Sequence, residues 1–121
     1  MSIGSRYASL KPTICIICKK QAGVAYSPYP DRLKTWLWGC GATECSGLLR
    51  KVYRMAEHTY NAYEVKARSE ASDAAGQYLD SIGETDLAKL PPEHWFVLWE
   101  TFMNAYQRSM VRMLTEHEAP F

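Results

Sequence analysis

Hydrophobic positions change their spacing near residue 46, and the first part of the chain has the pattern of short strands. The runs "AGVAYSP" and "KTWLWGC" contain aromatic and β-branched residues and are typical of strands. Between them stands "YPDR", in which Pro30 and Asp31 favour a turn. We therefore predict a β-hairpin within residues 22–40.

From Ser46 onward the hydrophobic positions recur at three- and four-residue steps, which predicts a long helix. Ser46 suits the N-cap, or the helix begins slightly earlier so that Cys45 lies in its first turn. The pattern continues with a bend or break expected near residues 69–76, and Gly83 suits the C-cap. The residues of its apolar face are Leu48, Leu49, Val52, Tyr53, Ala56, Tyr60 and Tyr63.

A second long helix is predicted at the C-terminal end of the chain. Pro91 and Pro92 suit only a first helical turn, so the helix should span residues 92–116. Its apolar stripe should pack on the first long helix, and any exposed part would be a partner surface. The stripe comprises Trp95, Leu98, Trp99, Phe102, Tyr106, Met110, Met113 and Leu114.

These elements predict an α+β fold that is mostly α. A small N-terminal module containing the β-hairpin would lead into the long helix and a C-terminal helical lobe. We expect residues 1–54 and 55–121 to pack as one compact unit, since 121 residues suit one domain. The chain lacks a signal-peptide core and any run of about 18 apolar residues, so a cytoplasmic location without membrane contact is expected.

The four cysteines form two close pairs, Cys15 with Cys18 and Cys40 with Cys45. Both spacings suit two sulfurs from one tight turn, and in a reducing cytoplasm such pairs indicate metal rather than disulfide. We predict one structural Zn²⁺ bound by all four. A thioredoxin-like pair is the weaker interpretation, because Lys19 and Lys20 place Cys18 in a turn and not at a helix N-terminus.

The order of knuckle, hairpin and a second pair at a helix entry resembles the treble-clef zinc fingers, over residues 13 to about 60. Four cysteine ligands would leave no coordination position for water, so hydrolytic zinc chemistry is not expected. His58, His94 and His117 have no spacing that pairs them as ligands. We therefore expect a protein that is not an enzyme.

Charge divides the chain into a basic and an acidic half. Residues 1–54 carry nine Lys or Arg against two Asp or Glu, a formal charge of +7, whereas the remainder carries five against eleven, or −6. The basic half could contact phosphates or an acidic partner, or the two halves could simply attract each other. The candidate contact residues are Lys19, Lys20, Arg32, Lys34, Arg50, Lys51 and Arg54.

The segment "YLDSIGETDLAKL", followed by Glu93 and Trp95, resembles an uncharacterised family of small phage and prophage proteins that also carry an N-terminal cysteine knuckle. The resemblance implies a phage or mobile-element origin and brings no assigned activity. Physically the segment has structural roles in ending one helix and capping the next turn. The matching positions are Tyr78, Leu79, Ile82, Gly83, Thr85, Asp86, Leu87, Leu90, Glu93 and Trp95.

Two functions are compatible with these features. The first is an accessory protein that binds a host or phage protein; by analogy with small phage proteins it would adapt or inhibit nucleic-acid enzymes or defence complexes, including CRISPR effectors. The second is direct DNA or RNA binding by the basic lobe, with aromatic residues stacking on bases. The candidate interface aromatics are Tyr26, Tyr29, Trp36, Trp38, Trp95 and Trp99.

Overall fold

The protein is mostly helical, and its largest part consists of two long helices that pack side by side. The structure is a computed structural model that describes residues 14–26 and 37–116. Within these ranges, no helix combines the length and the apolar character needed to cross a membrane. The strands are β1 (Val24–Tyr26) and β2 (Leu37–Gly39), and the helices are α1 (Thr43–Ser46), α2 (Leu49–Tyr53), α3 (Glu57–Ile82) and α4 (Pro92–Glu116), with a 3₁₀ turn at Leu87–Lys89.

The two strands pair antiparallel, as the hairpin pattern predicts. Val24 lies opposite Gly39 and Tyr26 opposite Leu37, while residues 27–36 lie outside the described ranges. A side chain at position 39 would crowd α2, because a Cβ atom on Gly39 would lie 3.0 Å from the Leu49 side chain. The sheet therefore packs directly on α2, whose Leu49 is buried.

The prediction of one long helix from Ser46 is wrong in its first turns. Ser46 is the last residue of α1, and the N-cap residue of α1 is Ala42. The alternative start is confirmed, since Cys45 lies within α1. A further break separates α2 from α3 at Ala56, whose backbone is extended (φ −63°, ψ 144°). The sequence at this break contains no Pro or Gly, so tertiary contacts rather than local propensity set its position.

The expected bend at residues 69–76 is absent, because α3 runs unbroken from Glu57 to Ile82. Ala67 and Ala71, on the face packed against α4, are fully buried. This packing supports the helix across the Ser- and Gly-containing stretch, where intrinsic propensity is weak. The predicted end is confirmed, with Gly83 as a left-handed C-cap at φ 72°.

The connector between the long helices is held by local hydrogen bonds. Asp86 caps the 3₁₀ turn by accepting a bond from the Ala88 amide at 3.0 Å. Leu90 is buried, and α4 then begins at Pro92 and ends at Glu116, as predicted. Because the connector is short, α3 and α4 run antiparallel.

The core lies between the N-terminal half of α3 and the C-terminal half of α4, and it continues into the cysteine-bearing segment. The α4 stripe is only partly buried, since Trp95 and Phe102 are half-buried and Trp99 is exposed. The buried residues of the two helices are Tyr60, Tyr63, Ala67, Ala71, Leu98, Ala105, Tyr106, Ser109, Met110, Met113 and Leu114.

A polar cluster fixes the register of the two helices. The buried Ser109 hydroxyl donates to Glu70, and Arg112 donates to the same carboxylate at 3.1 Å. The bond from Arg112 and that from Ser109 hold the pKa of the Glu70 carboxyl below its usual range. Glu70 therefore stays ionised and accepts the hydrogen bond of the buried Ser109 hydroxyl.

Replacing Ala71 by Leu tests the close approach of α3 and α4. We expect Ala71→Leu to lower the free energy of unfolding by about 1–3 kcal/mol, because a fully buried methyl leaves no room for a larger group. Urea unfolding followed by circular dichroism measures the change. The neighbouring exposed residue provides a matched control, Ser72→Leu, which should alter stability by less than about 0.5 kcal/mol. Equal effects of the two variants would contradict the packing described.

Candidate metal centre

The four cysteine side chains meet at one place, as the two-pair spacing predicts. Their sulfur atoms all lie within 4.8 Å of one another, and all four thiols are free. Cys15, Cys18 and Cys45 are buried, whereas Cys40 is half-buried. We call this group the cysteine cluster. It is a set of four soft ligands at a separation that suits one metal ion.

The first pair is positioned by a tight backbone turn. The Lys19 amide donates to the Cys15 carbonyl at 3.0 Å, and the Cys15 amide donates to the Lys20 carbonyl at 2.7 Å. Lys19 adopts a left-handed conformation, with φ 66°, to close this loop. The Ile17 amide points at the Cys15 sulfur at 3.4 Å, so the backbone itself supports a thiolate there.

The second pair comes from the end of the sheet and from α1. Cys40 directly follows β2, and Gly41 turns the chain with φ 85°, a conformation that favours glycine. Cys45 then lies inside α1. A knuckle, two antiparallel strands and a helix thus contribute to one cluster.

Without a bound cation, the burial of the cysteine side chains and the contacts among them determine which thiols are protonated. The pKa of Cys15 falls to about 4, chiefly because Cys45 donates a hydrogen bond to it. Burial raises the pKa of Cys18 to about 11, and the bond to Cys15 together with burial raises the pKa of Cys45. Cys15 is therefore the thiol that ionises most readily, with Cys18 and Cys45 neutral beside it. Binding of a divalent cation would supply the charge that lets the remaining thiols ionise.

Both long helices hold the cluster in place. On α3, the Tyr60 hydroxyl donates to the Ile16 carbonyl, and Glu64 pairs with Lys19. On α4, Gln107 Nε2 lies 3.8 Å from the Cys45 sulfur. These contacts join the knuckle to the helical core, so the cluster is part of the folded body and not an appendage.

The predicted basic residues have different environments. Lys19 pairs with Glu64, and the Lys51 ammonium donates to the Leu114 carbonyl. Lys20 donates to Asn104 Oδ1 at 3.1 Å, on the side of α4. Arg50 and Arg54 are exposed at the end of α2, while Arg32 and Lys34 lie outside the described residues. Three of the seven thus contact the helices, which leaves less free charge for phosphate than the sequence suggests.

The predicted interface aromatics also lie in different environments. Tyr26 packs edge-on against Tyr53, with 6.0 Å between the ring centroids. Trp38 is half-buried on β2, and Tyr29 and Trp36 lie outside the described residues. Trp95 and Trp99 stack on α4 with 6.1 Å between their centroids.

The structure adds a residue that the sequence prediction missed, because it falls outside the buried stripe. Phe96 is the most exposed of the large hydrophobic residues described, at 66%, and Trp99 is exposed by 55%. With the half-buried Trp95 and Met103 they form what we call the aromatic surface. Phe96, Trp99 and Met103 line an open groove of about 330 Å³, which Lys20, Glu100 and Asn104 complete. The three-residue step from Phe96 to Trp99 was the available signal.

Comparison with known proteins finds one matching family model and no matching individual protein. A protein-family model, described as a family of unknown function (DUF6511), matches residues 58–121. The matched part contains α3 from its second residue, the connector and α4, and it excludes the cysteine cluster. No curated protein and no solved structure matches the chain.

Tyr60→Phe tests the attachment of the knuckle to α3. Removing the hydroxyl leaves the Ile16 carbonyl without this donor, so we expect the free energy of unfolding to fall by about 1 kcal/mol. Tyr63→Phe is the matched control, because Tyr63 is buried on the same helix and its hydroxyl has no partner among the described residues. Thermal unfolding of both variants gives the comparison. An equal loss in both would mean that the bond to Ile16 does not stabilise the fold.

Proposed function

This chain belongs to the family of unknown function DUF6511, and we propose that it is a non-enzymatic accessory protein that binds a protein partner. One structural Zn²⁺ stabilises it. The observation that carries the proposal is the aromatic surface, where Phe96 and Trp99 are exposed on a helix whose other end is anchored in the core. Large aromatic residues on a rigid element are typical of interface centres.

The zinc assignment is supported by the donor set. Four sulfur ligands in a reduced protein favour Zn²⁺ or iron, and a closed site with C-x2-C and C-x4-C pairs is typical of structural zinc. The sequence of knuckle, antiparallel strands and a second pair at a helix supports a treble-clef-like module. Zinc binding would contribute on the order of 10 kcal/mol to folding.

The absence of an open coordination position supports a non-enzymatic role. A metal held by four cysteines has no position for a substrate or a reactive water. We therefore assign the cluster to stability. In this proposal residues 1–54 form the zinc module and residues 55–121 the helical lobe, and the contacts of Tyr60, Glu64 and Gln107 with the module make them one unit.

The nature of the partner is proposed by analogy. The resemblance to small phage and prophage proteins favours a phage or mobile-element origin and a host or phage partner in the host cytoplasm. Proteins of this kind adapt or inhibit nucleic-acid-handling or defence machinery, and a CRISPR effector is one candidate target. Direct nucleic-acid binding is the alternative, and exposed Arg50 and Arg54 are its best support.

Cys40→Ser tests the zinc site. We expect the wild-type protein to contain about one zinc per chain, and the variant to lose zinc and unfold its N-terminal part because three ligands bind far more weakly. Mass spectrometry of the native protein gives the stoichiometry, and Co²⁺ substitution gives the thiolate charge-transfer bands of a tetrahedral site. Thr43→Ser, on exposed α1, is the control. Stoichiometric zinc in Cys40→Ser with unchanged thermal stability would overturn the assignment.

The protein-binding role is tested with the double variant Phe96→Ser and Trp99→Ser. We expect affinity capture from nuclease-treated host lysate to recover a specific protein in stoichiometric amount with the wild type, and binding of that purified protein to weaken at least about tenfold in the variant. Val65→Ser is the matched control, since Val65 is a hydrophobic residue of α3 exposed by 55%, like Trp99.

The competing function has a distinct signature. Direct nucleic-acid binding would replace the proposal if the protein bound labelled DNA or RNA in a salt-sensitive way. That binding would be lost in the double variant Arg50→Glu with Arg54→Glu and unchanged in the double variant Phe96→Ser with Trp99→Ser. Equal capture by the wild type and the double variant would show that the aromatic surface is not the interface.

A further inference from the structure

On the outward face of α4, acidic residues precede Asn104 along the chain and a basic residue follows it. Glu93, Val97, Glu100, Asn104 and Arg108 recur at four- and three-residue steps, which places them along one side of the helix. All five are exposed. The acidic residues lie before Asn104 and the basic one after it. Along this row of five residues, the carboxylates therefore precede Asn104 and the guanidinium follows it.

Two grooves adjoin this face, and Asn104 lines both. The first contains Phe96 and Trp99 and has a volume of about 330 Å³. The second, of about 460 Å³, is lined by Arg108, Val111 and Arg112 and also by the acidic Glu44 and Glu116. The first half of α4 thus has projecting aromatic side chains, whereas the second half has the larger concavity.

We propose that this face binds a second copy of the chain, with the two α4 helices antiparallel and a two-fold axis at Asn104. The inference rests on the proposed protein-binding role of the aromatic surface and names its occupant. In this arrangement residues equidistant from Asn104 meet. Glu100 of one copy lies opposite Arg108 of the other, and the symmetry produces this ion pair twice.

The same register brings the aromatic surface against the larger groove. Phe96 and Arg112 are each eight residues from Asn104, so the most exposed aromatic ring of one copy faces the groove at Val111 and Arg112 of the other. The guanidinium of Arg112 is held by Glu70 at 3.1 Å, which fixes one wall of that groove. Burial of an aromatic side chain in a pocket beside a planar cation is a favourable contact.

Charge selects the antiparallel orientation and a self-complementary partner. In a parallel pair Glu100 would face Glu100 and Arg108 would face Arg108, which is repulsive. A two-fold interface uses the same patch on both copies, and this patch contains both halves of each required contact. An unrelated partner would have to reproduce the same acidic, aromatic and basic order.

A charge-exchange experiment tests the dimer on the zinc-loaded full chain. Sedimentation equilibrium across the micromolar range should show a reversible dimer for the wild type. Glu100→Arg and Arg108→Glu should each weaken dimerisation by about tenfold or more, because each places like charges in contact twice. The double variant, with both changes, should restore it, since the opposite charges meet again. Asp73→Arg on exposed α3 is the control and should dimerise like the wild type.

The outcomes separate this inference from the proposed function. A wild-type monomer throughout the range overturns the dimer, as does a dimer that is insensitive to the single changes or is not restored by the double change. The partner-capture comparison with Phe96→Ser and Trp99→Ser tests the same surface for a different protein occupant. A monomer that still captures a protein through the aromatic surface would overturn only the second-copy inference.

Discussion

Four sulfur atoms held within 4.8 Å of one another are the constraint on which the N-terminal part of the structure depends. The strands have three residues each, and α1 and α2 have four and five. Elements of this size are not stable alone, because they form too few hydrogen bonds to offset the entropy of ordering the chain. The cysteine cluster joins the knuckle, the end of the sheet and α1 at a single point. Its thiols cannot all ionise in this buried place without a cation, so a metal ion bound there would stabilise the local structure.

The cluster also determines which half of the helical pair is well packed. Tyr60 and Glu64, near the start of α3, contact the knuckle, and Gln107 of α4 reaches the Cys45 sulfur. Burial is concentrated at this end of both helices. Lys20, two residues after Cys18, extends along α4 to Asn104 and becomes a wall of the groove beside the aromatic surface. The surface is therefore built jointly by the cysteine-bearing segment and α4.

The sequence predicts the features that depend on local chemistry. The end of α3 at Gly83 and the start of α4 at Pro92 follow from the backbone preferences of these residues, and the convergence of the cysteines follows from their spacing. The sequence does not predict the break at Ala56 or the continuity of α3 at residues 69–76, because tertiary packing decides both. Periodicity likewise could not show that Lys19 and Lys51 contact the helices, since their partners, Glu64 and Leu114, are distant in sequence.

The aromatic surface is exposed because α4 is longer than the part of it that the hydrophobic core covers. The helix has 25 residues, and its buried positions after Leu98 lie between Ala105 and Leu114, where the cysteine-bearing segment and α3 cover it. In its first half only Leu98 is buried, and His94 there contacts Tyr78 near the end of α3. Phe96 and Trp99 are large, apolar and exposed in that half of the helix, although Trp99 also packs on Trp95 and Phe102. Exposed apolar residues of this size support the proposed contact with another protein surface. The buried core therefore lies at one end of the helical pair, and the proposed recognition surface lies at the other.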